Sequence, residues 1–175
     1  MKKMTLVSLL AATMICAGGS AIAATPSHST TYLPESGAYV GLMGSAMTSA
    51  SGGDLNFAGI YGGYQFNKYF ALEGSAQTDL MGSYDVVNEQ MFSVLAKGMI
   101  PVSKRVTLYA GGGASYLRES ALDDEFSSGL FMPTGIVGLN VALTHHLAID
   151  VSSTQSYANG TVLLTGNLGV SYHFS

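Results

Sequence analysis

The chain is 175 residues long, 10% of them charged, with seven basic residues against 11 acidic ones and a formal net charge of −4. Because it has no clustered basic patch, a nucleic-acid-binding function is excluded. Charged residues make up about 25% of typical soluble domains, so this composition also argues against a water-exposed globular fold.

The first residues, 1–23, are typical of a secretory signal peptide. Two lysines precede an apolar stretch over residues 4–17, and Ala21-Ile22-Ala23 resembles a cleavage site. We therefore predict an exported protein that is cleaved after Ala23 or one residue later. The single cysteine, Cys16, lies within this segment, so the predicted mature chain has no disulfide and no thiol chemistry.

Residues 24–35 are polar, contain two prolines and are predicted to form a flexible periplasmic lead-in. In the predicted mature chain no run approaches the ~18 apolar residues that a membrane-spanning helix needs. Instead, segments of about ten residues alternate with turn-like clusters, as in transmembrane β-barrels. The predicted strands are residues 38–46, 56–66, 70–79, 91–100, 106–117, 131–143, 147–155 and 161–174.

The connections between these strands alternate in length. Those after the second, fourth and sixth strands are short, whereas most of the others are longer and richer in Ser, Gly and Asp. Outer-membrane barrels combine short periplasmic turns with longer external loops in this way. We therefore predict an all-β transmembrane barrel of eight antiparallel strands over residues 36–175 in the outer membrane, with both ends of the chain in the periplasm.

Alternation within the strands assigns the two faces. In the last strand Leu168 and Val170 share one face, and Asn167 and Ser171 share the other. A soluble barrel would show the same period, but its outer face would be rich in charges, and these strands hold few. The apolar face is therefore predicted to meet lipid. An aromatic girdle is expected at the periplasmic ends, formed by Tyr64, Phe66, Tyr69, Phe70, Tyr172 and Phe174.

The last strand also resembles the terminal strand signal of outer-membrane proteins. It matches the pattern of that signal at Asn167, Gly169, Tyr172 and Phe174. The segment from residue 61 to 73 is similar to the second hairpin of the OmpA/OmpX-like barrel family. The resemblance implies an up-and-down barrel, with outer-membrane lipid, the barrel-assembly machinery and periplasmic chaperones as partners. No peptidoglycan-binding domain follows the barrel, so that anchoring role is not expected.

Two charged residues are predicted to meet inside the barrel. Glu73 and Lys97 lie at similar depths in neighbouring strands and both face inward. An eight-stranded barrel is just wide enough inside for side chains, and a buried charge needs a partner. We therefore predict a structural salt-bridge network, with Asp150 as a further member, rather than a gated ion path. Inward residues such as Tyr61 and Tyr109 predict a packed lumen.

Candidate chemistry elsewhere is sparse. His145 and His146 are adjacent in a short turn and point in different directions, so solvated residues are expected rather than a metal site. His173-Phe174-Ser175 has the His-x-Ser spacing of one barrel deacylase family but lies at the periplasmic end, without a third residue to orient the histidine. We therefore expect no enzyme, no metal and no cofactor.

The most acidic connection is expected to be a solvated surface loop outside the cell. It is defined by Glu119, Asp123, Asp124 and Glu125. Function concentrates in loops on a rigid scaffold, so this loop is the best candidate for contacting an extracellular or host ligand. The expected role is therefore a structural or surface-interaction barrel, with a small-solute porin and a lipid-modifying enzyme as alternatives.

Overall fold

The computed structural model describes residues 33–49, 54–79, 87–121, 129–158 and 160–174. Each of its eight strands pairs antiparallel with its sequence neighbour, and the last pairs with the first, which closes the barrel. The described part of the chain contains no helix long and apolar enough to cross a membrane. The strands are β1 Gly37–Ser49, β2 Asp54–Asn67, β3 Phe70–Asp79, β4 Val87–Pro101, β5 Val106–Ala121, β6 Gly129–Ala142, β7 Leu147–Ala158 and β8 Thr161–His173.

The predicted number, order and closure of the strands are confirmed, but several strands are longer than predicted. β4 begins at Val87 and β5 ends at Ala121, so the two remain paired through Glu89 and Glu119. The backbone of Glu119 therefore belongs to a strand and not to a loop. Backbone hydrogen bonds do not depend on apolar side chains, so pairing continues into polar sequence where the apolar pattern has ended.

Side chains alternate between a lumen face and an outer face, as predicted. Along β8, Asn167 and Ser171 are buried inside the barrel, whereas Leu168 and Val170 are at least half exposed on its outer surface. The six residues predicted for the aromatic girdle are all exposed on the outer surface. Neighbouring girdle rings also touch, because Phe66 lies 5.6 Å from Phe70 between ring centroids and Tyr172 lies 5.1 Å from Phe174.

Three tight turns stabilise one end of the barrel, here called the turn end, and the opposite end is called the loop end. In each turn a polar side chain accepts a backbone N–H two or three residues later, which fixes the chain reversal. Asn67 accepts from Tyr69 N at 2.8 Å. In the other two turns, Ser103 Oγ accepts from Val106 N, and Thr144 Oγ1 accepts from Leu147 N, both at 3.0 Å.

Candidate functional site: the barrel lumen

Three tyrosines fill the lumen by lying across glycines. Each tyrosine faces a glycine directly across a strand pair, and the absent side chain leaves room for the ring to cross the neighbouring strand. A Cβ atom at Gly138 would lie 2.6 Å from Tyr109 Cζ, and one at Gly41 would lie 2.5 Å from Tyr61 Cζ. The pairs are Tyr39 with Gly63, Tyr61 with Gly41, and Tyr109 with Gly138.

Glu73 and Lys97 form a buried ion pair at the centre of this layer. Lys97 Nζ lies 2.6 Å from Glu73 Oε2, and the two side chains are each 5% exposed. Tyr39, after crossing Gly63, donates its hydroxyl hydrogen to the same carboxylate oxygen at 2.9 Å. Glu73 on β3 and Lys97 on β4 are diagonal neighbours in the sheet, and long side chains can span that separation.

Asp150 on β7 is linked to this pair through Tyr109. The Tyr109 hydroxyl lies 2.7 and 2.8 Å from the two carboxylate oxygens of Asp150. On the other side, Lys97 Nζ lies over the Tyr109 ring, 4.3 Å from its centroid, in a cation–π contact. The three residues predicted from the sequence therefore lie in one layer. Here it is called the ionic layer and comprises Glu73, Lys97, Tyr109 and Asp150.

A chain of hydroxyl groups crosses four strands on the loop side of the ionic layer. Ser93 and Ser115 lie 2.8 Å apart, Thr134 donates to Ser115 at 2.8 Å, and Thr134 and Ser156 lie 2.9 Å apart. These buried hydroxyls hydrogen-bond to one another, which offsets the cost of removing them from water in a closed interior. The sequence does not predict these contacts between hydroxyl groups. The regular Ser and Thr positions on the lumen face were their only signal.

The ionic layer divides the lumen into two small cavities. The cavity on the turn side has a volume of about 40 Å³ and is lined by residues that include Tyr39, Lys97 and His173. The cavity on the loop side has a volume of about 20 Å³ and lies beside the hydroxyl chain. Glu73 and Asp150 line both. A cavity needs roughly 10–15 Å³ of such space to hold one water, so both spaces are large enough for ordered waters.

The lumen is also covered at the turn end. Leu33 and Pro34, from the predicted lead-in, line the turn-side cavity, and Gln65 Nε2 donates to the carbonyl oxygen of Glu35 at 3.3 Å. His173 stacks on Tyr39 with ring centroids 5.1 Å apart. The part of the lead-in before residue 33, like the predicted signal peptide, lies outside the described residues.

The histidines serve the packing of this end. His146 is half-buried, lies 3.0 Å from the His173 carbonyl oxygen through Nδ1, and stacks on Tyr172, so it is not the solvated turn residue we expected. His173 Nε2 lies 3.2 Å from Ser171 Oγ inside the lumen. Ser175, the serine of the predicted His-x-Ser spacing, lies outside the described residues. Across the described ranges no three His, Cys, Asp or Glu side chains come together as a metal site.

Of the residues in the predicted assembly signal, two lie at the lumen and two lie on the outer surface of the barrel. Asn167 points into the lumen and donates to Thr154 Oγ1 at 2.6 Å, and Gly169 lies beneath the Tyr61 ring. Tyr172 and Phe174 are exposed on the outer surface. Asn167 and Gly169 thus have packing roles in the folded barrel that do not depend on recognition by another protein. Of the loop candidates, Asp123, Asp124 and Glu125 lie outside the described residues.

Comparisons with known proteins agree with this architecture. The family model described as the outer membrane protein beta-barrel domain matches residues 8–174. No curated protein sequence matches the chain. Among solved structures, the chain is similar to Ail, the attachment invasion locus protein of Yersinia pestis, with 20% identity and a TM-score of 0.58 over 79% of this chain and 97% of Ail. Another structure of Ail contains the heparin analogue sucrose octasulfate.

Two further barrels show the same fold. The N-terminal barrel domain of Pseudomonas aeruginosa OprF is 16% identical, with a TM-score of 0.61 over 79% of this chain and 99% of that domain. Neisserial surface protein A is 16% identical, with a TM-score of 0.61 over 81% of this chain and 98% of its own. Identities this low establish the fold but not a shared ligand.

Proposed function

The chain belongs to the outer membrane protein beta-barrel family, and we propose that it is a structural barrel whose external loops form its contact surface. The observation that carries this proposal is the closed lumen. The ionic layer crosses the interior, and the cavities on either side of it measure about 40 and 20 Å³. A rigid, filled barrel serves as a scaffold, and its variable contacts belong to its loops.

Planar-bilayer recordings test the closed lumen. The purified barrel is expected to give no discrete conductance steps in symmetric salt, and vesicles that contain it should not swell in small sugars. Tyr109→Ala is the informative variant, because it removes a ring that packs between Lys97 and Asp150. Steady channels from the unmodified protein would support the small-solute porin instead. Channels seen with Tyr109→Ala but not with the unmodified protein would support the proposal that the ionic layer closes the lumen.

The acidic balance of the loop end favours a cationic partner. Ail has been solved with a heparin analogue, a polyanion. In this chain only Arg118 is basic among the charged residues in or next to the loop-end connections, so a polyanion would be repelled there. The acidic residues are Asp54, Asp79, Asp85, Glu89, Glu119, Asp123, Asp124 and Glu125.

Binding to coated surfaces tests the contact proposal. The barrel in phosphatidylcholine nanodiscs should bind a polylysine surface through its loop end. The variant Asp123→Asn/Asp124→Asn/Glu125→Gln should bind polylysine more weakly, whereas the matched variant Lys104→Gln/Arg105→Gln, altered at the turn end, should not. Undiminished polylysine binding by the loop variant would contradict the proposed contact surface.

We propose no catalytic role. His173 and Ser171, the one His–Ser contact in the described lumen, are 6% and 1% exposed, so a lipid could not reach them without opening the barrel. Incubating the purified barrel with phospholipid and lipid A and analysing the products by mass spectrometry tests this. A released acyl chain that disappears in Ser171→Ala would establish the enzyme alternative.

A further inference from the structure

We propose that the turn end of the barrel binds anionic phospholipid headgroups through a basic rim formed by Lys68, Lys104 and Arg105. Lys68 lies in the β2–β3 turn, and the other two lie in the β4–β5 turn. Lys104 and Arg105 are exposed and Lys68 is partly exposed. Of the acidic residues described near this end, Glu73 and Asp150 are buried in the ionic layer with Lys97 and only Glu35 is exposed, so the rim keeps a net positive charge.

Lys68 of the rim lies beside the aromatic girdle, whose rings mark the depth of the headgroups. Lys68 Nζ is 5.1 Å from the centroid of the Tyr69 ring, which is itself exposed on the outer surface. Val102, two residues before Lys104, is 60% exposed. Girdle rings mark the boundary between hydrocarbon and headgroups, so cations that adjoin them reach the phosphate layer rather than bulk water.

Backbone hydrogen bonds hold the turns of the rim in fixed positions. The β2–β3 turn is bonded to β4, where Met99 N donates to Tyr69 O at 2.8 Å. The β4–β5 turn is bonded to β6, where Ala142 N donates to Arg105 O at 2.7 Å. The two cationic turns are two strand spacings apart, or about 10 Å. That separation is comparable with the Debye length, which is about 8 Å at physiological salt, so the potentials of the two turns overlap. A rigid array of charges binds headgroups with little ordering cost.

The two ends of the barrel carry opposite charge, and this selects the leaflet. Eight of the 11 acidic residues lie in or next to the loop-end connections, and only one of the basic residues, Arg118, lies there. An anionic lipid is therefore attracted to the turn end and repelled at the loop end. With the predicted orientation, the partner is the phospholipid of the inner leaflet, with an anionic headgroup such as phosphatidylglycerol.

Native mass spectrometry of the detergent-purified barrel, titrated with equal amounts of phosphatidylglycerol and phosphatidylcholine, tests the proposal. The unmodified barrel should retain phosphatidylglycerol preferentially. Since a basic residue near an anionic surface contributes about 1 kcal/mol, each charge removed should lower that preference roughly 5-fold. Lys68→Gln/Lys104→Gln/Arg105→Gln should therefore lose it, and so should the unmodified barrel at about 0.5 M salt.

The matched control is Arg118→Gln, which removes one exposed positive charge at the loop end and should leave the preference unchanged. If the triple variant does not fold, Lys104→Gln alone should still lower the preference roughly 5-fold. The proposal is overturned by equal retention of both lipids, or by a loss in Arg118→Gln as large as that in Lys104→Gln. Binding of soluble heparin that the triple variant abolishes, without lipid preference, would also overturn it and indicate a soluble polyanion.

Discussion

The Tyr109 ring lies directly across Gly138, its cross-strand partner on β6, and so reaches Asp150 on β7. The glycine is therefore part of the ionic layer although it carries no charge. Because the tyrosine also lies under Lys97 at 4.3 Å, one ring joins the charges of β4 and β7 across the interior. In the same way, the Tyr39 ring lies across Gly63, and its hydroxyl group hydrogen-bonds to Glu73.

Gly138→Ala should destabilise the barrel by about 1–3 kcal/mol, because the new methyl group would overpack the space that Tyr109 occupies. Gly135→Ala is the matched control on the same strand. It faces outward, where the nearest atom to a new Cβ is 3.9 Å away. Urea unfolding in vesicles followed by circular dichroism measures both. Equal stability of the two variants would show that the packing of the Tyr109 ring over Gly138 does not contribute to the stability of the barrel.

Lys97→Met should lower the free energy of unfolding by about 3 kcal/mol, because Glu73 would be left buried without its cation. Methionine fills a similar volume, so no conductance should appear in planar bilayers. Adding Glu73→Gln to Lys97→Met should recover part of the loss, since Asp150 is then the one carboxylate of the ionic layer left without a cation. Discrete channel openings in Lys97→Met would identify the pair as a gate rather than a structural bridge.

Asp150→Asn should cost less than about 1 kcal/mol, whereas Glu73→Gln should cost about 3 kcal/mol. Asparagine can still accept the Tyr109 hydrogen bond, and one carboxylate remains to balance Lys97. Glutamine at 73 instead removes the carboxylate that lies 2.6 Å from the ammonium. Chemical denaturation of both variants in the same vesicles makes the comparison. If the two losses were equal, Asp150 would be as essential to the layer as Glu73.

Phe174→Ala should reduce the amount of barrel inserted in cells several-fold and leave spontaneous folding into vesicles unchanged. Tyr64→Ala is the control, since both rings belong to the girdle and both side chains are 49% exposed. Loss of apolar burial in lipid should therefore be similar in the two variants. Heat-modifiability on gels measures the folded fraction in cells and in vesicles. Equal losses in cells would argue against a recognition role for the terminal phenylalanine.

Much of the lumen pairing was predictable because Glu73 and Lys97 are rare charges in strands with a clear two-residue period. The hydroxyl chain from Ser93 to Ser156 was not predictable in the same way. Alternation assigns a residue to the lumen, but sliding one strand by two residues keeps every face the same. Which serine meets which threonine depends on the register, and the register is a property of the closed sheet.

The sequence by itself determined the number of strands, the face each side chain occupies and the girdle, because these follow from the two-residue period and from where aromatic residues fall along each strand. Only the tertiary structure decided which glycine lies beneath which tyrosine, and so how Asp150 joins Lys97. That choice requires barrel closure, which fixes the stagger of all eight strands together. The ionic layer is thus encoded locally as charges and assembled globally by register.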